Sequence, residues 1–156
     1  MKNLLILLIL LQVISSCSTQ DICDDDSQSI LVARFKTTNT SEITDTTMSA
    51  ITIHGIREGK KDSLLYISDQ VSGIELPLDP NKDFSRFIIT NEIESDTLSI
   101  YHSSEVYLIS YTCGYAVRFS LEELTATGDW IKDMELRESE IDAELVTDEE
   151  HLWIYF

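Results

Sequence analysis

Short runs of apolar, β-branched and aromatic residues, separated by turn-forming residues, recur along this chain of 156 residues and constrain its fold more than any other feature. Runs of five to eight residues that follow one another at short intervals predict many short strands, which indicates an all-β fold. We therefore expect an antiparallel β-sandwich that is loosely immunoglobulin-like. The predicted strands are residues 30–35, 49–56, 64–68, 73–78, 84–91, 97–102, 106–112, 115–121 and 151–156.

Residues 131–145 fit two different structures. Asp129 could cap a helix, and an apolar stripe at helical spacing would follow it, although Glu138 interrupts that stripe. A strand would use the apolar residues of the segment less regularly. The periodicity by itself slightly favours the helix. The stripe consists of Ile131, Met134, Ile141 and Leu145.

The first seventeen residues have the organisation of an export signal. Lys2 supplies a positive start, and residues 4–11 form an apolar run that is too short to anchor the chain across a bilayer. The residues that end at Cys17 resemble a bacterial lipobox. This resemblance implies that residues 1–16 are removed as a signal peptide and that the sulfur of Cys17 carries a diacylglyceryl group. The lipobox residues are Ile14, Ser15, Ser16 and Cys17.

Behind the lipobox, residues 17–28 are predicted to be a lipidated, acidic tether, and residues 29–156 a single domain. Removal of residues 1–16 takes away Lys2 and no acidic residue, so the formal charge falls from −17 to −18. Binding to phosphates needs Lys and Arg, so this charge excludes nonspecific nucleic-acid binding and disfavours adsorption to anionic lipid. Attachment to a membrane must then depend on the acyl chains.

A cluster of aspartates in the tether bears on location. It is similar to the signal that sends Bacteroidota lipoproteins to the outer face of the outer membrane. Ser18 stands where an aspartate would retain a lipoprotein at the inner membrane. We expect an exported protein that is lipid-anchored to the outer membrane, on its periplasmic or its cell-surface face. The cluster consists of Asp21, Asp24, Asp25 and Asp26.

Two cysteines remain once the lipid occupies Cys17. Cys23 and Cys113 form an even pair in an exported protein, so a disulfide is expected. It would close a loop of about 90 residues, for which the chain-entropy model gives roughly 4–5 kcal/mol. The alternative is two separate buried thiols. A metal site is less favoured, because neither cysteine has a Cys or His at ligand spacing.

Oxygen-bearing side chains alternate at Asp79, Asn81 and Asp83, as they do at the start of a calcium loop. The obligatory glycine of such a loop is replaced by Phe84, and Thr90 stands where a bidentate Glu is needed. The alternative, which we prefer, is a turn whose Asp and Asn bind their own backbone. No metal and no cofactor is therefore predicted.

The histidines His54, His102 and His151 lie in predicted strands, and no nucleophile turn accompanies any of them. A zinc site would require them to converge from separate strands, and a hydrogen-bonded strand histidine is the commoner case. Acidic pairs at Glu122-Glu123 and Glu149-Glu150 could serve in glycoside hydrolysis, but chance pairs are expected among 28 acidic residues. The sequence therefore predicts no catalytic residue.

The last predicted strand has two different sides. His151, Trp153 and Tyr155 alternate with Leu152, Ile154 and Phe156, so the two sets lie on opposite faces. Tryptophan and tyrosine concentrate at interfaces, which makes His151, Trp153 and Tyr155 a possible binding surface. Burial between two sheets is the alternative for these aromatic side chains.

Several short motifs follow one another in a distinctive order. They are Asp21-Ile22-Cys23, Arg34-Phe35, Leu76-Pro77-Leu78-Asp79, Ser110-Tyr111-Thr112-Cys113-Gly114-Tyr115, Phe119, Trp130-Ile131 and residues 151–156. In this order they resemble a family of small Bacteroidota lipoproteins of unknown function. The resemblance covers nearly the whole chain after Cys17, and its most specific parts are the Cys-Gly-aromatic hairpin and the closing His strand. It implies an all-β fold, which favours irregular strands over a helix in residues 131–145, and it supports the pairing of Cys23 with Cys113. It implies no activity.

These features together predict a lipoprotein of the outer membrane that acts as a non-enzymatic binding or structural module of the cell envelope. Its expected partners are the membrane, through the lipid on Cys17, and an envelope protein or glycan. Two alternatives remain: an envelope glycan or peptidoglycan hydrolase that uses a carboxylate pair, and a calcium-dependent glycan-binding module.

Overall fold

The computed structural model describes residues 29–39, 42–128, 130–143 and 150–156. This part of the chain contains eleven strands and no helix, and hence no helix long and apolar enough to cross a membrane. The prediction of an all-β fold is therefore confirmed. The strands are β1 Ile30–Asn39, β2 Glu42–Asp45, β3 Met48–Arg57, β4 Lys60–Val71, β5 Gly73–Pro77, β6 Phe84–Thr90, β7 Ser95–Ser110, β8 Gly114–Ala126, β9 Asp133–Leu136, β10 Glu140–Ile141 and β11 Leu152–Tyr155.

The strands form two sheets. The five-stranded sheet has the order β2-β1-β11-β9, with β5 also paired to β1, and the six-stranded sheet has the order β10-β8-β7-β6-β3-β4. Every pair is antiparallel except β1 and β11, which run parallel from Ala33 opposite Leu152 to Lys36 opposite Tyr155. A hairpin forces its two strands to run antiparallel, but β1 and β11 are the first and last strands, and no hairpin joins them.

One hydrophobic core lies between the sheets. Alternate residues of each strand point into it, as the two-residue period of a strand requires. The five-stranded sheet contributes Phe35 and Ile154, and the six-stranded sheet contributes Ile53 and Ile100, all with no solvent-exposed surface. The antiparallel β-sandwich is therefore confirmed. It is similar to an immunoglobulin domain in that two sheets pack face to face.

Strand β2 is a correction, because it lies between the predicted strands 30–35 and 49–56, where no strand was predicted. Its four side chains are all exposed, and it forms by pairing with the end of β1, where Lys36 lies opposite Asp45. An edge strand that buries no side chain has no apolar alternation. The composition of residues 42–45 therefore does not predict a strand.

Strand β7 corrects the prediction of two separate strands at residues 97–102 and 106–112. It runs without interruption through Ser103, Ser104 and Glu105, which are exposed and pair with residues of β8. The side chains of these polar residues bury nothing, so they show no apolar alternation that would predict a strand. Their backbone groups are nevertheless held by the neighbouring strand.

The helix that periodicity favoured in residues 131–145 is wrong for the described part of that segment. Met134 lies in β9, which pairs with β11, whereas Ile141 lies in β10, which pairs with β8 in the other sheet. The seven-residue spacing of these two side chains therefore reflects a crossing between sheets and not one face of a helix. Asp129 and Leu145 lie outside the described residues.

Candidate functional site

Trp153 and Tyr155 lie on the outer face of the five-stranded sheet, because the alternating residues of β11 point into the core. We call this pair the aromatic face. Arg34 of β1 lies opposite Trp153 on one side, and Glu135 of β9 lies opposite it on the other. Both aromatic side chains are half-buried by their polar neighbours.

Two cations cover Trp153, one from β1 and one from the residue that directly follows β9. The Lys36 ammonium lies 4.4 Å from the ring centroid, and the Arg137 guanidinium lies 4.1 Å from it. The indole N–H of Trp153 donates to the carboxylate of Glu150, which also lies 3.2 Å from Lys36 Nζ. The ring is therefore already engaged by cation–π contacts within the protein.

The charged groups around the aromatic face shift each other's pKa. Burial of Lys36 acts to lower its pKa, but hydrogen bonds to Asp45 and Glu150 outweigh burial and raise it. A hydrogen bond from Arg137, and a second from Tyr155, lower the pKa of Glu135. Burial and the bond to Glu135 raise the pKa of Tyr155, whose hydroxyl lies 2.9 Å from that carboxylate.

His151 does not belong to the aromatic face. Its Nδ1 accepts a hydrogen bond of 3.0 Å from the backbone N–H of Val32, and the backbone N–H of His151 donates to the Val32 carbonyl at 3.0 Å. The His151 carbonyl accepts a bond from the backbone N–H of Arg137. The side chain is 7% exposed. In this geometry the imidazole joins the start of β11 to β1, so the role of His151 is to stabilise the sheet.

A separate pocket of about 320 Å³ lies where β3 and β6 meet the loop between β5 and β6. The walls include apolar side chains, among them Leu65, Leu78 and Phe87. Three basic side chains also line it: Arg57, Lys82 and Arg86. We call this the basic pocket. It holds three of the eleven Lys and Arg residues of a chain that has 28 acidic residues.

The proposed calcium ligands lie at the edge of the basic pocket and form a turn. The backbone N–H of Asn81 donates to Asp79 Oδ1 at 3.1 Å, and that of Lys82 donates to the Asp79 carbonyl at 3.2 Å. Lys82 Nζ lies 3.7 Å from Asp79 Oδ2. This is the Asx-type geometry of the alternative interpretation. The described residues hold no group of three or more His, Cys, Asp or Glu that could bind a metal.

Ser85, which lines the basic pocket, forms a buried polar pair with His102 that sequence reasoning missed. Ser85 Oγ lies 3.0 Å from His102 Nε2 and accepts a hydrogen bond of 2.9 Å from the backbone N–H of Asp79. His102 is 1% exposed, and its Nδ1 has no hydrogen-bond partner among the described residues. Because no carboxylate of this part of the chain orients Nδ1, the pair lacks the third member of a nucleophile–base–acid arrangement there. Only the pairing of β6 with β7 brings these two residues together.

Burial lowers the pKa of His102, although the negative charges of Asp79, Asp83 and Glu122 act to raise it. The unfolded chain therefore binds a proton at His102 more tightly than the folded chain does. The neutral imidazole contributes its full stabilisation of the folded state above pH 6.5. This stabilisation is lost as the pH falls below 6.5 and toward the lower pKa of the folded state.

His102→Gln should therefore make stability less dependent on pH. Between about pH 7.5 and about pH 5.5, the wild-type free energy of unfolding should fall more steeply than that of the variant, by up to about 1.4 kcal/mol per pH unit. Urea unfolding of both proteins across this range measures the difference. Equal slopes would contradict the depressed pKa.

The other predicted residues are not brought together. Glu122 and Glu123 are both exposed on β8, so this pair is not desolvated, and Glu150 is held by Lys36 and Trp153. Cys113 lies in the turn between β7 and β8, where its backbone N–H donates to Ser110 Oγ at 3.0 Å. Cys17, Cys23 and Glu149 lie outside the described residues, so lipidation and the Cys23–Cys113 pairing stay predictions.

Two packed sheets with a basic pocket at one edge define the class of protein, an all-β sandwich domain. Residues 50–156 match the model of a family of unknown function (DUF6452), and the chain belongs to that family. The resemblance to an uncharacterised family is thus confirmed over residues 50–156. The first two motifs of that resemblance, Asp21-Ile22-Cys23 and Arg34-Phe35, lie before the matched residues. No curated protein matches the chain. No solved structure matches it either.

Proposed function

We propose that this protein is a lipoprotein of the outer membrane, anchored through Cys17, whose sandwich is a non-enzymatic binding module. The basic pocket takes a small polar group that carries a negative charge, such as the carboxylate of an envelope glycan. An envelope glycan is therefore the partner that we favour over an envelope protein.

The observation that carries this proposal is the concentration of basic side chains in one concave site of an acidic chain. Arg57, Lys82 and Arg86 line a cavity in the size range of small-molecule sites, and its walls also include apolar side chains. Arg86 lies 4.6 Å over the ring of Phe84, which holds its guanidinium at the pocket. Elsewhere the net charge of the chain repels an anion, so the pocket is the place where an anionic ligand gains most.

The aromatic face is the weaker choice for a ligand site. Lys36 and Arg137 already occupy positions over the Trp153 ring, and the Tyr155 hydroxyl already donates to Glu135. A sugar that stacked on Trp153 would first have to displace a cation. The mixed charges of this face instead stabilise the outer side of the sheet.

The disulfide is part of the proposal. Cys113 is disulfide-bonded, and Cys17 and Cys23 are the other two cysteines of the chain. If Cys17 is acylated, the partner is Cys23. This bond would tie the tether to the turn between β7 and β8.

Binding to the pocket can be tested with two disaccharides that differ in charge. The disaccharide of N-acetylglucosamine and N-acetylmuramic acid carries a carboxylate, whereas the dimer of N-acetylglucosamine is neutral. We expect the acidic disaccharide to shift the backbone NMR signals of β6 and of the loop between β5 and β6. Arg86→Gln should weaken this binding by at least about tenfold, the effect of losing a charge-assisted hydrogen bond.

Lys61→Gln is the matched control, because it removes the same charge from an exposed residue of β4 that does not line the pocket. It should leave the affinity unchanged. Equal binding of both disaccharides, or signal shifts confined to the aromatic face, would contradict the proposed site. Cleavage of the acidic disaccharide by the purified protein would favour the hydrolase instead.

A further inference from the structure

The hairpin of β7 and β8 carries an apolar surface that the five-stranded sheet does not cover. Ser104 lies opposite Phe119, which is buried in the core, and the same side of the hairpin continues to Val106 and Leu108. Past the end of the core these side chains are exposed: Val106 by 66%, Leu108 by 43% and Tyr115 by 72%. The core-facing stripe of the hairpin therefore extends into solvent.

The tip of the hairpin adds to this surface. Tyr111 is completely exposed in the turn, and Tyr115 lies opposite Leu108. Residues 106–117 contain no charged side chain, although the chain has 28 acidic and 11 basic residues. We call these twelve residues the hairpin tip. An exposed patch of apolar side chains and tyrosines, without charge, is typical of an interaction surface.

The hairpin tip lies where the tether reaches the domain. The hydroxyl of Ser29, the first described residue, donates to the carbonyl of Val117 at the base of the tip. From Cys17 to Ser29 is twelve residues, or at most about 40 Å of extended chain. Val106 and Tyr111 are separated by about 17 Å of strand. An acyl group on Cys17 can therefore reach the same region of the molecule as the tip.

The proposed Cys23–Cys113 disulfide would fix the tether to the hairpin tip at Cys113, but the side chains of the tether are a poor cover for the apolar surface. Residues 18–28 contain four aspartates and one aliphatic side chain, Ile22. Burying a carboxylate against an apolar surface is unfavourable, whereas tyrosines and aliphatic side chains are stable at the boundary between lipid headgroups and acyl chains.

We propose that the hairpin tip lies in the headgroup region of the lipid bilayer, beside the acyl chains of Cys17. This inference rests on the proposed lipid anchor. The tip adds an apolar contact to the anchor and orients the sandwich with β7 rising from the membrane. The basic pocket lies near the middle of β7, where Ser85 is opposite Ile100, so it is held roughly 25 Å along the strand from the tip.

A fluorescent probe at the tip can test this orientation in the mature, acylated protein. With Cys17 acylated and the other cysteines paired, the variant Tyr111→Cys offers one thiol for an environment-sensitive dye. Labelling of the unsubstituted protein checks that the native cysteines do not react. Ile93→Cys is the matched control, since Ile93 is 90% exposed in the turn before β7, at the opposite end of that strand.

Both labelled proteins are placed in phosphatidylcholine vesicles and separated by flotation. We expect both to float, and we expect the emission of the dye to shift to shorter wavelength at position 111 but not at position 93. Leu108→Ser combined with Tyr115→Ser should reduce the shift at position 111, whereas Ile93→Ser should not.

Flotation without a shift at position 111 would overturn the inference and leave the anchor intact. Failure of the acylated protein to float would overturn the proposed anchor, and the inference with it. An emission shift at position 111 that appears only at a high ratio of protein to lipid would indicate that the hairpin tip contacts a second copy of the chain. This result would also overturn the inference.

Discussion

Replacing Asp96 with alanine is expected to lower the free energy of unfolding by about 3–5 kcal/mol. Asp96 has no exposed surface, and its Oδ2 accepts hydrogen bonds from the backbone N–H groups of Trp130 at 2.9 Å and Ile131 at 2.7 Å. Its other oxygen accepts the hydroxyl of Thr127. Alanine leaves these donors without this acceptor in the interior, where water cannot easily replace it.

Urea unfolding followed by circular dichroism measures this loss. Asp133→Ala is the matched control, because Asp133 is an exposed aspartate of β9 and its removal should change stability by no more than about 0.5 kcal/mol. Asp96→Asn should be intermediate, since one amide oxygen keeps part of the acceptor capacity. A loss for Asp96→Ala as small as that of the control would contradict the role of Asp96 in holding residues 130–131.

Replacing Cys17 with alanine is expected to abolish acylation completely and to release the protein from the membrane. The sulfur of Cys17 is the atom to which the lipobox resemblance assigns the diacylglyceryl group. After removal of residues 1–16 the chain would have a formal charge of −18, which disfavours its adsorption to anionic lipid. The hairpin tip alone would give only weak binding, because a few exposed apolar side chains bury far less surface than two or three acyl chains.

Incorporation of radiolabelled palmitate in cells, followed by separation of membranes, measures both effects of Cys17→Ala. Cys23→Ala is the control, since it removes a neighbouring cysteine and should retain the label. Equal incorporation in the Cys17→Ala variant would exclude Cys17 as the acylated residue.

The sequence predicted most of the strands because burial on one face of a strand imposes a two-residue period on the apolar side chains. Ile51 and Ile53 of β3, and Leu152 and Ile154 of β11, follow this period and are all fully buried. Where side chains bury nothing, the period disappears. For this reason β2 and the middle of β7 were not predicted as strands.

The candidate site was predicted less well than the fold. Asp79, Asn81 and Asp83 alternate like the first ligands of a calcium loop, but they form a turn at the edge of the basic pocket. Arg57 and Arg86, which give the pocket its charge, are 29 residues apart in the chain and meet only because β3 pairs with β6. No local spacing could have indicated that pair.

What the sequence determined by itself is the all-β class, the order of most strands and the prediction of an export signal with a lipidated cysteine. Each of these depends on neighbouring residues, whose pattern can be examined without knowledge of the fold. Only the tertiary structure decided the parallel pairing of β1 with β11, the contact of Ser85 with His102, the basic pocket and the uncovered hairpin tip. These depend on which distant strands lie side by side, and that is determined by how the two sheets pack around their common core.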